Sequence, residues 1–86
     1  MREYPYLSKA IAITLTKYRT SRKISKSALS DFASIERCYL RDMEKGNRKP
    51  TVNTIFCICE VLQISPNEFI KEVEIEIKRL KEMSEN

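Results

Sequence analysis

An all-α fold follows from three observations on the sequence. The 86 residues hold one glycine and three prolines, too few turn-formers for a fold of many short strands, and apolar residues recur at spacings of three and four. Cap residues precede these apolar stretches: Ser8, Ser25, Thr51 and Ser65, the last followed by Pro66. A chain this short suits one domain and buries only a little over half of its unfolded surface, so a simple helical core, assisted by dimerisation, is expected. With 42% apolar and 33% charged residues and no low-complexity run, the composition is that of an ordered globular protein.

Residues 1–8 read as an arm, because Pro5 biases Tyr4 away from helix and no periodicity has begun. Ser8 suits the cap of a first helix from Lys9 to Arg22, with Ile11, Leu15, Tyr18 and Arg22 along one face. Ile24 offers an apolar plug, and Ser25 caps a second helix, Lys26 to Ala33, whose Ala28, Leu29 and Phe32 are expected to face inward. Ser34 and Ile35 form a turn; Ser34 is strained there if its φ is positive. The third helix, Glu36 to Lys45, turns Leu40 and Met43 inward and leaves Arg37, Cys38, Arg41 and Asp42 on or near its outer side. Gly46 suits a left-handed C-cap.

After the basic loop Asn47-Arg48-Lys49-Pro50, Thr51 caps a fourth helix, Val52 to Leu62, with Val52, Ile55, Phe56, Cys59 and Leu62 as the expected core stripe. A fifth helix from Asn67 to Met83 is longer than a five-helix core needs. Its Ile70, Val73, Ile77 and Leu80 follow spacings of three, four and three, a short seam that fits either a symmetry mate or the first helix of the same chain. Residues 9–69 make the expected domain and residues 70–86 an extension.

Charge is unevenly spread. Residues 1–67 carry twelve basic and six acidic side chains, and residues 68–86 carry four and six. A front of net charge +6 is suited to a polyanion. Cys38, Cys57 and Cys59 are odd in number and follow no secretory signal, so a cytoplasmic location is expected rather than a disulfide framework, with Cys57 and Cys59 as buried structural thiols. With no histidine, the Cys57-x-Cys59 spacing does not suit a zinc loop. No metal or cofactor is expected, and no membrane segment, since the longest apolar run is five residues, Ile55 to Cys59. Catalysis is not expected either: there is no phosphate-cradling glycine loop, and Cys38 has no base to complete a mechanism.

Several residues fall in one register: Arg19 late in the first helix, Ser25, Leu29, Ile35, Leu40, Glu44-Lys45-Gly46, Pro50 and Leu62-Gln63-Ile64-Ser65. In this pattern the chain resembles the Cro/CI-like helix-turn-helix family, also called the xenobiotic-response-element family of bacterial and phage regulators, over Ile11 to Phe69. The resemblance implies a compact five-helix, lambda-repressor-like fold and a structural ion pair between Arg19 and Glu44. Ser30 and Ser34 stand where the family usually has alanine and glycine, and Glu36 where Ser, Thr or Asp is usual.

The resemblance also implies that the third helix enters the major groove of double-stranded DNA. Arg37, Cys38, Arg41 and Asp42 would then face base edges. Ser25, Lys26, Tyr39, Asn47, Arg48 and Lys49 would meet phosphates, with Tyr39 alternatively half-buried. The expected protein is a small transcriptional regulator that acts as a homodimer on an inverted-repeat operator, its dimer interface at Ile70, Val73, Ile77 and Leu80. Tyr4, Tyr6 and Leu7 are possible supplements to that interface. The alternative is an antitoxin-type module that binds a partner protein and uses DNA binding for autoregulation.

Overall fold

The structure, a computed structural model, describes residues 2–85; Met1 of the expected arm and Asn86 of the expected extension lie outside the described residues. Five helices follow one another: α1 (Leu7–Ser21), α2 (Lys26–Ala33), α3 (Arg37–Glu44), α4 (Val52–Leu62) and α5 (Pro66–Ser84). None is long and apolar enough to cross a membrane. The core gathers Leu15 of α1, Leu29 of α2, Leu40 and Met43 of α3, Ile58 and Leu62 of α4, and Phe69 and Val73 of α5, all at or below 2% exposure. Burial of such side chains is worth about 1.5 to 3 kcal/mol each, which is what holds helices this short in place.

Three helix starts are made by side-chain caps. Ser25 accepts a hydrogen bond from Ala28 N, Thr51 from Thr54 N and Ser65 from Glu68 N. The start of α1 differs from expectation. Tyr6, at φ 66°, occupies the cap position, and Ser8 is the second residue of the helix, its hydroxyl donating to Glu3 Oε1 at 2.7 Å. The arm thus folds back on α1, and the Tyr6 hydroxyl is hydrogen-bonded to Ser84 Oγ at the end of α5. Helix α3 is one residue shorter at each end than the periodicity predicts, because Glu36 and Lys45 are its caps.

Four helices end in the same way. A left-handed residue follows each, namely Lys23, Ser34, Gly46 and Gln63. The next amide then reaches back to the residue five positions earlier: Ile24 N to Arg19 O, Ile35 N to Ser30 O, Asn47 N to Asp42 O and Ile64 N to Cys59 O. In this Schellman closure the following residue is commonly apolar and packs against the helix end. Ile24, Ile35 and Ile64 fill that role, all packed in or against the core. Only Gly46 among the four left-handed residues has the conformation without strain; Ser34, at φ 56°, is held there by the packed Ile35.

Some expected core positions are corrected. Phe32, Val52 and Phe56 are 75%, 70% and 57% exposed. On α2 the inward places belong to Leu29, Ser30 and Ala33, two of them small enough for α3 and α4 to approach closely, and Ala28 is half-buried. On α4 the buried stripe is Ile55, Ile58, Cys59 and Leu62. Both possible stripes on α4 satisfy helical spacing, because this helix is apolar nearly all round. On α1, Tyr18 is half-buried against Phe69, its ring 6.3 Å away, and Arg22 is exposed with Nε donating to Leu62 O at 2.9 Å.

The expected dimer seam is also corrected in part. Helix α5 packs along α1, which places Val73 and Leu80 in the core of their own chain, at 2% and 7% exposure. Ile70 is exposed and Ile77 half-buried. These two line a shallow groove with Tyr4, Leu7, Glu74, Lys78 and Lys81. The reason is geometric: a 19-residue helix beside a 15-residue one buries every inward turn it can reach.

Candidate nucleic-acid interface

The outer end of α3 is the centre of the site. Leu40 and Met43 anchor one side of this helix in the core, so Arg37, Cys38 and Arg41 on the other side are exposed. Its orientation is set from behind by a tight polar cluster. Arg19 Nε donates to Glu44 Oε2 at 2.7 Å and Nη2 to Oε1 at 3.0 Å, while Thr16 Oγ1 donates to Oε1 at 3.1 Å. Arg19 Nη1 also donates to the carbonyl of Ile24 at 2.9 Å. The two side chains are only 12% and 5% exposed, so α1, the plug before α2 and the end of α3 form one bonded unit. Such a buried bridge specifies geometry more than it adds net stability, since desolvation offsets most of the Coulomb gain.

Lys26 and Ser27 at the start of α2 line one cleft together with Arg37, Cys38 and Arg41. Three of the four residues expected at bases and one residue expected at phosphate are therefore neighbours. Asp42 is half-buried and turned toward Arg41, whose Nε lies 3.6 Å from Oδ1. Tyr39 is half-buried against the core and carries the Arg48 guanidinium over its ring at 4.6 Å. Ser25 uses its hydroxyl as the cap of α2. Asn47, Arg48 and Lys49 are exposed on the loop that follows α3.

Two further residues join the site through the tertiary structure. Asp31, late in α2, lies 3.7 Å from Arg37 Nη2 through its Oδ2, and Glu3 Oε2 lies 3.3 Å from Lys49 Nζ. The Ser8 hydroxyl bond, with Lys49 beside it, holds the Glu3 carboxyl below its ordinary range. Neither pair has helical spacing, so no periodicity in the sequence points to it. Thr16, three residues before Arg19, does lie at helical spacing, and that signal was available for the Glu44 cluster.

The cysteines divide. Cys38 is exposed on α3, Cys57 is half-buried and Cys59 is buried, its thiol pushed up to about 11 by desolvation. Among the described residues no group of three or more metal-ligating side chains is assembled.

Helices α2 and α3 with the turn between them form a helix-turn-helix, with the second helix held outward on a fixed support. A model of the helix-turn-helix family matches residues 15–69, and the chain belongs to that family, in its Cro/CI-like, xenobiotic-response-element branch of DNA-binding transcriptional regulators. A comparison with curated protein sequences found no match.

Among solved structures, the clp gene regulator ClgR from Corynebacterium glutamicum is similar at 17% identity and a TM-score of 0.88, over 96% of this chain and 88% of that one. The restriction-modification controller protein C.AhdI from Aeromonas hydrophila is 26% identical, with a TM-score of 0.70 over 77% and 98%. The controller protein C.Esp1396I, a tetramer in complex with its natural 35 base-pair operator, is 20% identical, with a TM-score of 0.76 over 86% and 97%.

Proposed function

We propose that this chain is a small transcriptional regulator of the cytoplasm that binds double-stranded DNA sequence-specifically as a homodimer on an inverted repeat. The observation that carries this reading is the exposed end of α3, where Arg37, Cys38 and Arg41 stand free of the core while Arg19 and Glu44 fix the helix from behind. Arg37 is the leading base contact, because its fork can donate two hydrogen bonds to guanine O6 and N7. Lys26, Asn47, Arg48 and Lys49 hold phosphates and set the register. The chain acts by binding alone, without a cofactor.

One α3 reaches few bases, so specificity calls for two copies on half-sites about 34 Å apart. The surface that supports dimerisation is the groove between the arm and α5, through Tyr4, Leu7, Ile70 and Ile77, with Val73 and Leu80 retained in each core. That the controller protein C.Esp1396I binds its operator as a tetramer agrees with assembly on DNA. A second reading, an antitoxin-like module with a protein partner, is favoured by one observation: Phe32, Val52 and Phe56 are exposed and serve neither the core nor α3.

Selection of bound duplexes from a random pool tests the main reading. Recovery of an inverted repeat is expected, and no enrichment would remove the specific-regulator function. Ile70→Glu is expected to halve the mass in analytical ultracentrifugation, and an unchanged mass excludes the groove as the interface.

A further inference from the structure

We infer that Asp31 is a specificity-determining positioning residue, which holds the Arg37 guanidinium for base readout and opposes its use on arbitrary phosphate. This rests on the DNA-binding function proposed above. The contact is the 3.7 Å pair between Asp31 Oδ2 and Arg37 Nη2, the one carboxylate contact that Arg37 makes among the described residues. It joins the two helices of the motif across their turn, since Asp31 belongs to α2 and Arg37 opens α3.

Asp31 is out of place on stability grounds alone. It stands in the last turn of α2, where the helix dipole disfavours a carboxylate, and that turn contains no basic residue to offset it. Its side chain is 66% exposed and serves no core contact. What faces it is Arg37, itself 68% exposed, so the position has a local electrostatic purpose without a folding one.

The pair weighs differently in two complexes. A guanidinium has five N–H donors, and Asp31 faces only one nitrogen, so a guanine edge can take two donors while Asp31 remains in place. In that complex the carboxylate orients the fork. On unrelated sequence Arg37 has no base partner and turns to the backbone, which leaves Asp31 unpaired beside phosphate charge. An exposed pair of this kind is worth up to about fivefold in an equilibrium constant, and that factor is lost only in the non-specific complex.

Glu3 provides the contrast. It pairs with Lys49, which reaches phosphate in either complex, so its carboxylate weakens both alike. Asp31→Asn and Glu3→Gln each remove one negative charge near the site and release different cations, while a glutamine at position 3 keeps an oxygen that can accept the Ser8 hydroxyl.

The test measures dissociation constants of wild type, Asp31→Asn and Glu3→Gln on the selected operator and on a scrambled duplex of equal length, at fixed salt. Asp31→Asn is expected to tighten the scrambled duplex about threefold to fivefold and lower the specificity ratio by the same factor, with relaxed preference at one base position. Glu3→Gln is expected to tighten both duplexes equally, and Asp31→Asn to melt at or above the wild-type temperature. If Asp31→Asn shifts both duplexes by one factor, as Glu3→Gln does, the role of Asp31 is overturned and the DNA-binding function stands. If the wild type itself selects no sequence, both are overturned.

Discussion

Arg19 and Arg37 are the same residue type put to opposite uses. Arg19 is 12% exposed and spends its guanidinium on Glu44 and the Ile24 carbonyl at 2.7 to 3.0 Å. Arg37 is 68% exposed and has one loose contact at 3.7 Å. The first cannot be offered to a ligand without dismantling α1 and α3, and the second cannot contribute much to stability. A binding domain of this size needs both: short helices present side chains reproducibly only if something buried sets their angle. The cysteines repeat the contrast, with Cys59 enclosed and Cys38 exposed on α3.

The largest test removes one half of the enclosed pair. Glu44→Ala leaves the buried Arg19 guanidinium without its carboxylate acceptor and is expected to cost about 3 to 5 kcal/mol in urea unfolding. The double change Arg19→Met with Glu44→Leu should cost far less, because no charge is left unpaired. Equal losses in the single and double variants would remove the distinction drawn between scaffold and reading arginines.

The buried thiol gives the next largest effect, with a definite pH window. Burial raises the Cys59 thiol from 9.0 to about 11. Below about pH 9 both folded and unfolded chains keep the neutral thiol and the full stability is present. As pH rises toward 11 the unfolded chain ionises first, and about 2 to 3 kcal/mol is lost across that window. The Tyr18 phenol, raised by burial and then by Glu72, adds to the loss in the same direction. Thermal melts from pH 8 to 11 should therefore fall more steeply for the wild type than for Cys59→Ala; parallel curves would disprove the assignment.

The exposed side should respond in binding and hardly in folding. Arg37→Ala is expected to lose about 1 to 3 kcal/mol of discrimination at one base position, with unfolding unchanged within about 0.5 kcal/mol. Lys49→Ala should weaken all sequences alike and reduce the salt slope by about one unit. Titration of the two variants against operator and scrambled duplex separates them, and a uniform loss for Arg37→Ala would assign it to phosphate instead.

Much of this arrangement is legible in the chain because it is local. A cap and the amide it binds are three residues apart, and a Schellman closure needs only a left-handed residue followed by an apolar one. Hence the bounds of α2 and α4 and the plugs at Ile24 and Ile35 follow from short windows. The outward set of α3 follows from Leu40 and Met43 alone, since a helix with only two core residues has one possible inside.

The faces of α4 and α5 are another matter. Helix α4 is apolar nearly all round, and two stripes compete; the choice of Ile58 over Phe56 is made by where α2 and α5 lie. The a/d spacing of α5 is the same for a partner in cis or in trans, and α1 claims Val73 and Leu80. Asp31 and Glu3 reach their cations across turns, at separations no helical period marks.

The sequence by itself determined five helices, the caps at Ser25, Thr51 and Ser65, and the register of the helix-turn-helix, because backbone hydrogen bonding and caps act within a few residues. Only the tertiary structure decided which apolar stripes are inside, which cations carry a carboxylate and which apolar side chains remain exposed. Those outcomes depend on competition between surfaces for the same neighbour, and that competition is settled when the helices meet.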